Sequence, residues 1–108
     1  MKKPPESLAD LGRFSEPALL ILISLADGPK HGYAMTQDIE AVSGQRLGPG
    51  TLYGAIARLE ARKWIEPLPA DDRRRPYRLT AAGHRVLRAR LESLRAMTRV
   101  AQSRLADV

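Results

Sequence analysis

The chain has 108 residues, 44% hydrophobic and 28% charged, which suits one globular domain and is too short for two ordinary ones. With no cysteine, disulfides and thiolate metal sites are excluded, and the only histidines, His31 and His84, are far apart, so no metal and no cofactor is expected. The net charge is +6, and all of the excess falls between Arg58 and Arg90, which holds ten Lys/Arg against four Asp/Glu. A basic surface concentrated in this way favours a polyanion, nucleic acid or an acidic membrane, with a solvated basic face as the other reading.

Residues 1–14 read as a tail. Lys2 and Lys3 are followed by two prolines and Glu6, with no apolar stretch behind them, so the segment does not read as a signal peptide. Ser7 to Leu11 fits one helical turn, with Leu8, Leu11 and Phe14 available for docking. The first helix is expected from Ser15, an N-cap type followed by Glu16 and Pro17, to the stop at Asp27-Gly28-Pro29. Its interior, Ala18 to Ile23, is apolar on every side. A surface helix of a small domain keeps one polar face, so this one is expected to bury two sides, the second against another subunit through Leu19 and Leu22. The apolar run Ala18–Ala26 is about half a membrane span, and a cytoplasmic protein with no membrane partner is expected.

A second helix runs from about Gly32 to Val42 with Met35, Ile39 and Val42 as its buried stripe, ended by Ser43-Gly44. His31 reads as a solvated or capping residue. Tyr33 reads as core packing, with a phosphate contact as the other reading. After Gln45-Arg46-Leu47, where Leu47 is a core plug, Gly48-Pro49-Gly50 opens a third helix reaching Lys63. Leu52, Ala55, Ile56 and Leu59 form its apolar stripe. Thr51, Tyr53, Gly54, Ala57, Arg58 and Ala61 turn away from it. Small residues beside a few donors suit a helix lying close against another surface, read as the DNA major groove, with an ordinary amphipathic core helix as the other reading. Two helices joined by a short glycine-containing turn fit a helix-turn-helix.

Beyond Lys63 the period changes. Trp64 to Pro69 reads as an extended segment confined to a sheet edge by its prolines, Ala70 to Arg75 as a polar turn, and Pro76 to Leu79 as the returning strand. The hairpin carries Arg73, Arg74 and Arg75 near its tip, a cluster suited to the DNA backbone or a narrow minor groove. Trp64 is expected to seal it against the helices. Thr80 caps a last helix that continues to about Leu105. Leu87, Leu91, Leu94, Thr98, Ala101 and Leu105 follow the spacing of a coiled-coil seam, with Met97 and Val100 beside it. The second half of this helix exceeds what a three-helix core can cover and is expected to pair with the same region of another copy.

The fold class is therefore mainly α with a small β-hairpin: a tail over 1–14, a winged helix-turn-helix over 15–79 and a dimerisation helix over 80–108. At this point the chain resembles the PadR family of bacterial transcriptional regulators. The resemblance lies in Leu20 to Leu25, His31-Gly32-Tyr33, Pro49-Gly50-Thr51-Leu52-Tyr53, Arg58-Leu59-Glu60, and Arg75-Pro76-Tyr77-Arg78-Leu79-Thr80-Ala81-Ala82-Gly83. It implies a homodimer that binds double-stranded DNA at a palindromic operator, usually as a repressor, and in some members a release by phenolic acids or flat lipophilic drugs, hence a small aromatic effector. It implies that Thr51, Tyr53 and Arg58 face DNA and that Arg73, Arg74 and Arg75 grip its backbone, with Tyr33 and Gly54 on the same surface. The chain departs from the family at Gly48, where serine is frequent, at Gly54, where proline is common, and at Lys63, where glycine is common. It also has no tryptophan in its C-terminal helix. The alternative is a winged-helix protein-interaction module whose basic face serves solubility. An enzyme is not expected, because no nucleophile–base pair, paired carboxylates or phosphate-cradling loop is present.

Overall fold

The computed structural model describes residues 7–107 of the chain. Residues 1–6 of the expected tail and Val108 lie outside the described residues. Helices α1 (Ser15–Ala26), α2 (Gly32–Ser43) and α3 (Pro49–Ala61) precede a hairpin of β2 (Ile65–Pro67) and β3 (Pro76–Leu79), and α4 (Ala81–Ala106) follows. Strand β1 (Lys30–His31) was not expected. It pairs antiparallel with the outer side of β3, Lys30 opposite Tyr77 and His31 opposite Pro76, while β2 pairs on the other side with Ile65 opposite Leu79. The hairpin is thus part of a three-stranded sheet in the order β1-β3-β2. Two residues between Pro29 and a helix carry no readable strand period, and only the long-range pairing reveals them.

The ends of the helices follow from local chemistry. Ser15 is already helical, so α1 starts one residue before a serine cap would have placed it. At its other end the Lys30 ammonium donates to the Ser24 carbonyl and pairs with Asp27 at 3.6 Å, a cation against the negative end of the helix. His31 caps α2 by accepting the Ala34 N–H at Nδ1, 3.3 Å away, and Gly44 ends it at φ 75°. Gly48 and Pro49 start α3 as expected. Its C-terminus is a Schellman motif: the Trp64 N–H donates to the Leu59 carbonyl at 3.0 Å and the Lys63 N–H to Glu60 at 2.9 Å. This puts Lys63 at φ 60°, the left-handed region that favours glycine. Thr80 then joins two elements. Its hydroxyl donates to the Lys63 carbonyl at 2.7 Å, and the same oxygen accepts the Gly83 N–H of α4 at 3.1 Å.

One core holds the chain together. Ala18, Ile21, Leu22 and Leu25 of α1 meet Met35 and Ile39 of α2, the stripe Leu52, Ala55, Ile56 and Leu59 of α3, and Trp64, Ile65 and Leu87. The segment before α1 is not loose. Leu8–Phe14 forms two 3-10 turns broken at Gly12, where φ is 57°, and Leu8 is buried in the core with Leu11 and Phe14 packed on it. Trp64 is buried under the sheet, and Leu47 is half-buried against the core, as their positions suggested.

Three apolar positions differ from the sequence reading. Val42 is 62% exposed rather than buried, because the last turn of α2 runs past the edge of α1 and α3. Leu22 lies wholly inside the chain's own core, so it is not available to a second subunit. The open side of α1 carries Leu19, Leu20 and Ile23 instead. Leu87 is likewise internal and seats α4 on the core, so the uncovered part of the seam starts at Leu91.

Candidate nucleic-acid interface

Most of the candidate side chains are exposed on α3 and on the hairpin. Thr51, Tyr53, Ala57, Arg58 and Ala61 are exposed on α3. The helix begins with Gly48 and Pro49, so the N–H groups of Gly50 and Thr51 have no intrahelical partner and point along the axis toward incoming negative charge. Tyr53 is 55% exposed and lies across the start of α2, where a Cβ at Gly32 would sit 2.6 Å from its hydroxyl. Gly32, with no side chain, leaves room for the phenol in this position. Tyr33 is 64% exposed, which corrects its reading as core packing. Its hydroxyl accepts from Gln37 at 3.3 Å and otherwise faces outward.

The hairpin tip closes as a two-residue loop. Asp71 and Arg74 exchange backbone hydrogen bonds at 2.8 Å in both directions, and Asp72 and Arg73 between them have φ 49° and 69°. Positive φ at both central residues is the type I′ arrangement, which matches the twist of the strands. Arg73 is therefore projected from the apex. Arg75 donates to the Leu68 carbonyl at 3.0 Å, and Arg74 lies 3.3 Å from Nε2 of His31. A neutral imidazole has a single lone pair, so His31 can accept from Ala34 or from Arg74 but not from both. Between hairpin and helices lies a cleft of about 290 Å³ lined by His31, Tyr33, Tyr53, Tyr77 and the three arginines. Burial, reinforced by the nearby Glu60 carboxylate and opposed by Arg75, raises the Tyr77 pKa, so its phenol stays a neutral donor in this cleft.

Two expected members of the surface are found elsewhere or held. Gly54 is not on the open face. The Phe14 ring covers it, with a Cβ at Gly54 falling 2.9 Å from Phe14 Cε1. Arg58 is exposed, but its guanidinium stacks 3.8 Å from the Phe14 ring centre and donates from Nη1 to the Gly54 carbonyl at 2.9 Å. Sequence reasoning did not connect Phe14 with Gly54 and Arg58, since they lie 40 and 44 positions away and no local pattern links them. It also passed over Arg46 and Thr36, which with Tyr33 and Tyr53 line a second cleft of about 440 Å³ beside the start of α3. Among the described residues no group of His, Cys, Asp or Glu is arranged to hold a metal ion, and no helix is long and apolar enough to cross a membrane.

The α4 helix is the remaining exposed element. Its 26 residues extend about 39 Å. Beyond the first turns, seated by Ala82, Val86 and Leu87, it leaves the core. Leu91, Met97, Val100 and Leu105 are exposed, Leu105 by 73%, and Leu94 is half-buried. Thr98 bonds back to the Leu94 carbonyl at 2.8 Å, and Ala101 is open.

A mainly helical winged-helix domain with an uncovered C-terminal helix is the architecture of a class of transcription regulators. Residues 21–89 match the model of the transcriptional regulator PadR-like family, and the chain belongs to that family. It is 48% identical over 96 residues to an uncharacterized 37.1 kDa protein in transposon TN4556 of Streptomyces fradiae, an alignment covering 88% of this chain and 28% of that one. It is 43% identical over 72 residues to the transcriptional regulator Rv3488 of Mycobacterium tuberculosis, covering 64% and 66% of the two chains. The chain thus spans about a quarter of the first relative's length and just under two thirds of the second's. Among solved structures, a transcriptional regulator from Clostridium thermocellum superimposes with a TM-score of 0.74 at 26% identity, covering 87% of this chain and 96% of that one.

Proposed function

We propose that this transcription regulator acts as a homodimer that binds a palindromic operator in double-stranded DNA, each α3 entering a major groove and each wing lying over the adjoining backbone. The observation that carries the reading is the cleft that Tyr53 of α3 shares with Arg73, Arg74 and Arg75 of the wing, with Thr51 and Arg58 exposed elsewhere on α3. Arg58 is the candidate for a base contact. Thr51, Tyr53 and Tyr33 are phosphate donors that set register, and the wing arginines supply sequence-independent affinity. The half-sites then lie one helical turn or a multiple apart. Leu91, Leu94, Thr98, Ala101 and Leu105, with Met97 and Val100, form the dimer seam together with Leu19 of α1. Leu22 and Leu87 are not part of it. Repression follows from occupancy of a promoter. A small aromatic effector held against α1 and α4 would meet aliphatic and methionine side chains, because neither helix contains an aromatic residue.

The test is a gel shift on DNA upstream of the protein's own gene, with competitor DNA and a salt series. Replacing Arg73, Arg74 and Arg75 together by alanine lowers the slope of log K against log salt by about 2.7 per subunit if each arginine neutralises one phosphate. An unchanged slope removes the wing from the interface. Absence of any duplex binding at low ionic strength returns the protein-interaction alternative.

A further inference from the structure

We infer that Phe14 is a positioning residue for base reading: its ring fixes the plane of the Arg58 guanidinium on α3, and Gly54 is the residue that admits the ring. The inference rests on the DNA-reading proposal and adds to it a part of the chain that lies outside the helix-turn-helix. Four observations converge. The Arg58 guanidinium lies over the Phe14 ring at 3.8 Å, within cation–π range. Its Nη1 is tied to the Gly54 carbonyl at 2.9 Å. The ring rests on the α3 backbone where Gly54 has no side chain, Cε1 and Cζ lying 2.9 and 3.3 Å from where a Cβ would be. The segment bearing Phe14 is anchored ahead of the ring: Leu8 is 1% exposed, and Asp10 pairs with Arg62 at the end of α3 at 3.5 Å.

The consequence is preorganisation. A guanidinium carries five N–H donors in one plane. The ring face restrains the guanidinium and the Gly54 carbonyl takes one donor, so the other N–H groups of this exposed side chain remain for a bidentate fork. An arginine read by guanine uses such a fork on O6 and N7. An unrestrained arginine spreads over many rotamers and loses that freedom on contact, whereas this one has already lost it. Without Phe14 the side chain keeps its charge but not its orientation, so sequence preference falls while non-specific, salt-dependent affinity stays.

The experiment is selection from a randomised duplex DNA pool with the full chain and its variants Phe14→Leu, Phe14→Tyr, Gly54→Ala and Arg58→Ala. Phe14→Leu keeps apolar packing and removes the ring face. Gly54→Ala pushes the ring aside while favouring the helix, since alanine is the better helix former. The expected result is a base preference reduced about two- to fivefold at one position per half-site in Phe14→Leu and Gly54→Ala. Phe14→Tyr retains the preference, and neither loss adds to Arg58→Ala. Parental preference in Phe14→Leu and Gly54→Ala, or a further loss on top of Arg58→Ala, overturns the inference. A parent chain that enriches no sequence overturns the base-reading proposal itself, and this inference with it, a result distinct from an intact preference that ignores Phe14.

Discussion

Gly83 marks the place where the long helix, the hairpin and the end of α3 meet, and Gly83→Ala tests whether that junction holds the two functional halves together. A Cβ there would fall 2.8 Å from Leu79 Cδ1, 3.0 Å from the Trp64 carbonyl carbon and deep inside the Trp64 carbonyl oxygen. The leucine can rotate, but the Trp64 backbone cannot, so α4 and β2 must part by on the order of 1 Å. Such overpacking costs about 1–3 kcal/mol. The same displacement stretches the Thr80 N–H bond to the Trp64 carbonyl at 3.1 Å and the Thr80 hydroxyl bond to Lys63 at 2.7 Å. Each contributes about 1 kcal/mol. The gain in helix propensity from alanine returns about 1 kcal/mol. The expected net loss is about 2–4 kcal/mol, a fall in melting temperature on the order of 10 °C for a domain of this size. Urea and thermal unfolding at fixed protein concentration measure it. A Gly83→Ala chain with the parental midpoint and slope would show that α4 is not seated on the Trp64 backbone.

Lys63→Gly relieves a left-handed residue at the end of α3, where φ is 60°, and should raise stability by about 1 kcal/mol. An unchanged unfolding midpoint would mean that the Schellman turn is not strained. Ser24 is buried with its hydroxyl unpartnered among the described residues. Ser24→Ala is expected to stabilise by about 1 kcal/mol, and a destabilised variant would reveal a bond to that hydroxyl. Charging the exposed seam by Leu91→Glu and Val100→Glu together should shift sedimentation from dimer to monomer and weaken operator binding while the helical circular-dichroism signal per chain persists. A dimer that survives this change would place the interface elsewhere.

The sequence by itself determined what is local. Thr80 before a helix, Pro49 in a first turn, and the spacing of Leu52, Ile56 and Leu59 depend on neighbours within four residues, so their consequences could be read in advance and hold in the fold. The paired basic elements, α3 and hairpin, were legible for the same reason: each declares its own exposed side. Which side a distant element then covers is not written in any period. Phe14 reaching Gly54 and Arg58, β1 joining the far edge of β3, Leu22 and Leu87 turning inward and Val42 and Tyr33 turning out are all outcomes of packing between segments remote in sequence. Periodicity states that a helix has an apolar face. Only the assembled core decides how much of that face is used within the chain, and so how much is left on α4 and α1 for another surface.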